Sequence, residues 1–304
     1  MAIRVGVFGA GGRMGATVCD AVTADPGCEL VAAVDPHHAG EVAAGGGGVT
    51  IVPAADAMTA AAVDVAVDFT VATAARENAR SARDYLSSET WLAVNRLYHS
   101  ISNTNIHLIL ADGLYDFCDG VRVGSHLFAG TVRATSLHDE GLQWLWTGAH
   151  LERSDMVTRL IDSKYHLLMR SIDDVGGAID RFQWMALLRS VSGWEAYLRI
   201  HPQGVEPARV VEFLMLNPDF PRSLRTSINA LQSALAEATR GAEVRLRNHP
   251  MRLIAELQGR LQFESAESLI DAGLHEYVTS VQDVLARISA SLYDCFFWVD
   301  AGAA

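Results

Sequence analysis

IRVGVFGAGGRMGATVCDAV, residues 3–22, decides how the chain begins to fold. Ile3 to Phe8 is a short run rich in β-branched residues, the pattern of a buried parallel strand. It passes directly into Gly9-Ala10-Gly11-Gly12-Arg13-Met14-Gly15 and then into a helical stretch from Ala16 to Ala24. Each glycine has a separate physical task. Gly9 permits the tight turn off the strand, Gly11 or Gly12 lets backbone N–H groups approach a pyrophosphate, and Gly15 lets helix and strand pack closely. The phosphates then sit at a helix N-terminus, where unpaired N–H groups and the macrodipole favour negative charge. A second strand, Glu29 to Val34, ends in Asp35, about 20 residues beyond the loop, where an acid accepts the adenosine ribose hydroxyls. A further strand, VAVDFT, spans Val65 to Thr70. The expected ligand is NADH or NADPH. Asp35 suits a free 2′-hydroxyl and hence NADH, whereas Arg13 and His37 or His38 offer positive partners for a 2′-phosphate.

Near residue 75 the chain changes character. ARENARSARDYLSSETW, from Ala75 to Trp91, opens a stretch in which the apolar period is helical as far as the C-terminus. The fold class expected is therefore α/β plus all-α: a partial Rossmann-type parallel sheet over residues 1–73, then a helical bundle over 74–304. Leu274, Val278, Val281, Leu285, Ile288, Leu292 and Phe296 recur at three- and four-residue steps, one apolar stripe of a long helix. Leu224, Ile228, Leu231 and Leu235 form another, after the turn Asn217-Pro218-Asp219-Phe220-Pro221, with Pro221 placed for a first helical turn. Asn248 before Pro250 reads as a helix start. Gly176-Gly177 and the stretch His201 to Pro207 read as loops between helices.

One helix, from about Asp139 to Arg170, carries two stripes. Leu142, Trp146, Ala149, Met156, Leu160 and Leu167 form the apolar one. Glu152, Asp155, Arg159, Asp162 and His166 form a polar row on another face. Such a row is either a self-paired, solvated surface or the lining of a polar cleft that binds a ligand. The tryptophans Trp91, Trp144, Trp146, Trp184, Trp194 and Trp298 read as core anchors.

Composition narrows the function classes. The 304 residues are half hydrophobic, enough for a real core, and carry a net charge of −12. A general nucleic-acid binder needs a basic surface, so that class is excluded, and Arg76, Arg80 and Arg83 read as a solvated helix face. Cys19, Cys28, Cys118 and Cys295 are far apart with no CxxC pair, and read as reduced, buried thiols of a cytoplasmic protein. No leader pattern and no apolar run of the ~20 residues that span a bilayer occurs. Asp112, Asp116 and Asp119 lie along a presumed turn but lack a calcium-loop pattern, and no metal site is expected. A homo-oligomer is compatible with all of this.

Two resemblances follow from these phrases. GVFGAGGRMGATV, LVAAVD and VAVDFT resemble the N-terminal domain of dihydrodipicolinate reductase, an NAD(P)H-dependent oxidoreductase of lysine and diaminopimelate biosynthesis, over residues 2–75. The resemblance implies that Gly9, Gly12, Arg13, Met14 and Gly15 form the cofactor loop, that Asp35 faces the ribose, and that Asp68, Phe69 and Thr70 lie beside the nicotinamide. The Gly-Thr-Thr-Gly loop and the His-His-x-x-Lys-x-Asp-x-Pro-Ser-Gly-Thr segment of that family have no counterpart here, so no catalytic residue is assigned. ARENARSARDYLSSETW, HDEGLQWLWTGAHLERSDMVTRLIDSKYHLL, QWMALLRSVSGWEAYLR and VVEFLMLNPDFPRSLR resemble the bacterial alpha-E domain, a helical family, over residues 74–300. This resemblance implies an accessory role beside an ATP-grasp ligase or a transglutaminase-like protein. A ligand site in its most distinctive phrases would use Asp139, Glu140, Glu152, Arg153, Asp155, Asp162 and His166. Together the two resemblances describe a fusion at about residue 75.

Overall fold

The computed structural model describes residues 2–11, 13–35, 38–45, 48–53, 57, 61, 65–68, 70–103, 113–164, 178–271 and 273–297. They form two compact units, Met1–Ser136 and Leu137–Ala304. The first opens with β1 (Ile3–Phe8), α1 (Arg13–Ala24), β2 (Cys28–Val34), β3 (Ile51–Val52) and β4 (Val65–Asp68). These strands make a four-stranded parallel sheet in the order β3-β2-β1-β4. The chain thus steps to one side of β1 and then returns to the other, the reversal that creates a crevice at the C-terminal ends of an open α/β sheet. Val5 and Val7 of β1, Leu30 and Ala33 of β2, Ile51 of β3, and Val18 and Cys19 of α1 form its apolar core.

Among its described residues this unit also has the helices α2 (Thr70–Ser81), α3 (Ser88–Ser102) and α4 (Leu114–Thr135). Their packing follows from a few side chains. Arg76 of α2 stacks on the Tyr98 ring of α3 at 4.8 Å and donates from Nε to Asn95 Oδ1 at 3.0 Å. It is therefore a helix–helix contact and not part of a solvated face, a role left to the exposed Arg80. Ser87 caps α3, accepting from the Thr90 N–H at 3.0 Å, and its hydroxyl also meets Thr135 Oγ1 of α4 at 2.7 Å. Asp116 and Asp119 lie on α4 rather than in a turn, with Asp119 paired to Arg122, and Asp112 lies outside the described residues. The change of sequence character at residues 73/74 thus falls inside the first compact unit, because α2, α3 and α4 pack on one another.

The second unit is helical: α5 (Glu140–Ser163), α6 (Ala178–Ser190), α7 (Trp194–Ile200), α8 (Pro207–Val211), α9 (Leu224–Ala238), α10 (Val244–Phe263), α11 (Ala266–Asp271) and α12 (Leu274–Leu292). A π-turn, Glu212–Leu216, continues α8, and Tyr293–Phe297 continues α12. Leu224, Ile228, Leu231 and Leu235 of α9 are fully buried, and so is the α12 stripe from Leu274 to Leu292. Burying each such side chain stabilises the fold by about 1.5–3 kcal/mol, before the ordering cost.

Four expectations are corrected here. Ser223, not Pro221, opens α9: its Oγ accepts from the Thr226 N–H at 3.1 Å. α10 begins at Val244 and runs through Pro250, so Asn248 is not its start. The hydrogen bond that Pro250 lacks is offset by the burial of Leu253, Ile254, Leu257 and Leu261 beyond it. On α5 the buried residues are Leu142, Thr147, Ser154, Val157, Thr158 and Ile161, while Met156 is exposed. Hydroxyls can face the core because each donates to its own helix: Thr147 to Gln143 O, Ser154 to His150 O and Thr158 to Asp155 O, at 2.7–2.8 Å. Small side chains then allow α5 its extensive contact with α9. Among the cysteines only Cys19 is fully buried, and Cys118 is exposed.

Candidate functional site

The loop between β1 and α1 is shaped by backbone alone. Gly9 has φ 71°, a left-handed conformation that side chains resist, and its N–H donates to Val34 O of β2 at 2.7 Å. Gly15, in the first turn of α1, leaves no room for a side chain: a Cβ there would lie 2.0 Å from Gly9 O and 2.9 Å from Ala10 Cα. Strand, turn and helix are thereby drawn into the close contact that aims the α1 N-terminus at the crevice.

Asp35 follows β2 and is 6% exposed. Its Oδ2 accepts from the Gly11 N–H at 3.2 Å, which holds the acid beside the loop. The backbone fixes it from the other side, with the Asp35 N–H donating to Val52 O of β3 at 3.0 Å. His38 completes the wall. A Cβ on Gly11 would lie 2.1 Å from His38 Cγ, so the ring covers Gly11, and His38 Nδ1 lies 3.3 Å from Glu41 Oε1. The structure thus brings together Gly9, Gly15 and Asp35. Arg13 and Met14 belong to α1, Asp68 ends β4 and Thr70 starts α2, all at the same end of the sheet strands. Gly12, Phe69 and His37 lie outside the described residues. Behind the loop, burial first and the charge of Asp20 second push the Cys19 thiol up to about 11, so it stays un-ionised.

The polar residues of α5 are distributed among separate tasks. Asp139 caps the helix, its Oδ1 accepting from the Leu142 N–H at 3.0 Å. Glu140 Oε1 accepts from Trp144 Nε1 at 3.1 Å. Asp155 and Arg159 pair at 2.5 Å on the surface, and Glu152 is exposed. Arg153 lies 3.5 Å from His150 Nδ1. Asp162 reaches across to His275 Nδ1 of α12 at 2.6 Å, and His166 lies outside the described residues. No cluster of metal-ligating side chains occurs among the described residues.

Sequence reasoning missed the most buried acidic or basic side chain among the described residues. Lys164, at the end of α5, is 1% exposed. Its Nζ lies 2.6 Å from Asp180 Oδ1, donates to Gln183 Oε1 at 2.6 Å and sits 5.5 Å from the Trp184 ring centre. A signal did exist: Lys164 is the only lysine in a chain whose other basic side chains are arginine and histidine. A compact ammonium fits a closed site that a guanidinium fork would overfill.

Comparison with known proteins agrees with both halves of this description. The Alpha-E family model, a predicted alpha-helical domain with a conserved ER motif, matches residues 50–297. Glu152-Arg153 on α5 is the only Glu-Arg dipeptide in the sequence. A second model, the dihydrodipicolinate reductase N-terminus, matches residues 3–88. The N-terminal part is accordingly similar to that reductase domain and has a Rossmann-like nucleotide-binding topology. No curated protein and no solved structure matches the chain. Among the described residues no helix is long and apolar enough to cross a membrane.

Proposed function

The chain belongs to the Alpha-E family, and on that premise we propose that it is an NAD(P)H-binding member, with the dinucleotide held by its reductase-like N-terminal part. One observation carries this reading: Gly15 is locked against Gly9, with the buried Asp35 fastened to the same loop through the Gly11 N–H. In this reading the pyrophosphate meets the backbone N–H groups at the start of α1, and the Asp35 carboxylate accepts the adenosine ribose hydroxyls. Asp35 also disfavours a 2′-phosphate, and the nearby His38 faces Glu41, so NADH is the preferred form. By the reductase resemblance Asp68, which ends β4, together with Phe69 and Thr70 would flank the nicotinamide, whose hydride is the chemistry the cofactor would supply. Dinucleotide binding, rather than reduction of a lysine-pathway substrate, is the proposed activity, because the family's proton-donor segment has no counterpart in the sequence. Titration of the full chain with NADH and NADPH, read by nicotinamide fluorescence, tests it. Saturable NADH binding, weakened at least about tenfold by Asp35→Ala, is expected. An unsaturated linear response for both nucleotides overturns it.

A second reading assigns the helical part to a protein partner, an ATP-grasp ligase or a transglutaminase-like protein. Three exposed apolar side chains favour it: Met156 of α5, and Ile179 and Phe182 of α6. Co-elution with such a partner, lost on Phe182→Asp, is the expected result. Separate elution at micromolar concentrations rules it out.

A further inference from the structure

The second unit contains a cavity of about 300 Å³ lined by Ala196, Arg199 and Ile200 of α7, Phe213 of the π-turn, and Asn217, Asp219, Phe220 and Pro221 of the loop that follows. That size lies at the lower end of the range for small-molecule sites. Its apolar floor is built firmly. Phe213 and Phe220 stack with ring centres 4.4 Å apart and 27° between planes. Gly193 is packed against both, since a Cβ there would be 2.9 Å from Phe220 Cζ and 3.2 Å from Phe213 Cε1. The loop wall is equally fixed. Asn217 Oδ1 accepts from the N–H groups of Asp219 and Phe220 at 2.8 and 2.9 Å. Ser223 Oγ donates to Asn217 O at 2.5 Å, and Thr226 Oγ1 donates to Pro218 O at 2.9 Å. A wall held in this way loses little entropy when a ligand arrives.

Two opposite charges complete the lining. Arg199, in the last turn of α7, and Asp219, in the loop, form no ion pair with one another or with any other described residue. Arg199 presents a guanidinium to a carboxylate, and Asp219 presents a carboxylate to an ammonium. An apolar floor in a cavity also lined by a cation and an anion, each without an ion pair among the described residues, matches a molecule with an apolar side chain and both charges on one carbon. We propose that this cavity binds an apolar α-amino acid as the free zwitterion: carboxylate on Arg199, ammonium on Asp219, side chain against the Phe213–Phe220 pair. This site is independent of the dinucleotide loop.

Isothermal titration of the full chain with L-phenylalanine tests the assignment, with 3-phenylpropionate, which lacks the ammonium, and phenethylamine, which lacks the carboxylate, as comparators. Saturable one-site binding of L-phenylalanine, at least about tenfold tighter than either comparator, is expected. Arg199→Gln should abolish the preference over phenethylamine, and Asp219→Asn the preference over 3-phenylpropionate. Both side chains are exposed, so neither variant disturbs the core. Failure of L-phenylalanine to saturate at millimolar concentration overturns the proposal, as does equal binding by both variants and wild type. N-acetyl-L-phenylalanine binding as tightly as the free amino acid also overturns it, because the cavity would then read a peptide C-terminus.

Discussion

The β1–α1 loop and the end of α5 solve opposite problems with opposite materials. At the loop, geometry comes from missing side chains: Gly15 sits where a Cβ would strike Gly9 O at 2.0 Å, and the first N–H groups of α1 have no partner within their own helix. At the end of α5, geometry comes from one long side chain, with Lys164 carried into the core and met by Asp180 and Gln183. The first arrangement leaves the helix-start groups to be satisfied from outside, as the proposed binding site requires. The second satisfies them internally, as a structural pair requires. The difference separates the two kinds of polarity in this molecule: open donors held in place by packing, and closed charges held in place by each other.

The sharpest way to break that contrast is to open the closed pair. Asp180→Ala leaves the Lys164 ammonium buried without its counter-ion, and should destabilise the helical unit by about 3–5 kcal/mol in urea unfolding. Lys164→Met combined with Asp180→Leu should recover most of that loss, because apolar side chains of similar size remove both desolvated charges. If Asp180→Ala is nearly neutral, the pair is wet and the contrast fails. Next in size is Gly15→Ala, which forces a methyl group onto backbone atoms that cannot swing away. It should cost up to about 3 kcal/mol and remove NADH binding with it. A variant that kept full nucleotide affinity would show that the loop is not shaped by the close approach.

This asymmetry also explains what could be read from the chain in advance. The β1–α1 loop is local: strand, glycines and helix lie within Ile3 to Ala24, so spacing alone reveals the contact of Gly15 with Gly9. Asp35 follows the same unit at a set distance. The apolar stripes of α9 and α12 are local too, with one residue buried at each three- or four-residue step. Asp162 meeting His275 and Lys164 meeting Asp180 cannot be read in this way, since the partners lie on different helices and no periodicity links them. The inner face of α5 was misread for a related reason. Thr147, Ser154 and Thr158 count as polar in any stripe, yet their hydroxyls are satisfied by their own helix and can face the core. The cavity beside α7 leaves no sequence signal because its walls come from Ala196, Arg199, Ile200, Phe213, Asn217 and residues 219–221, with no shared motif.

Cys19 offers a gentler test on the nucleotide side. Its thiol is raised from 9.0 to about 11 in the folded chain, mainly by burial. The folded state therefore holds its proton more tightly than the unfolded state. The resulting stability is fully present below about pH 9 and is lost as pH rises through about 11. Urea midpoints should fall across that interval, and Cys19→Ala should flatten the fall. A thiol-specific reagent at pH 8 should leave Cys19 unmodified until the sheet opens. Rapid modification of the native protein at Cys19 would mean that the packing behind the loop is loose.

The smallest effect probes the surface of α5. Asp155 and Arg159 are paired one helical turn apart, with Arg159 well exposed. Water screens such a pair, and holding two long side chains in register costs entropy, so it should contribute only about 0.3–0.5 kcal/mol. A double-mutant cycle of Asp155→Ala and Arg159→Ala, followed by urea unfolding with and without added salt, measures the coupling directly. A coupling of that size, lowered by salt, would place these residues with neither the closed charges nor the open donors. A coupling above about 1 kcal/mol that resists salt would require a desolvated setting. Asp155 and Arg159 would then belong with Lys164 and Asp180, and the solvated face of α5 would be a buried polar wall.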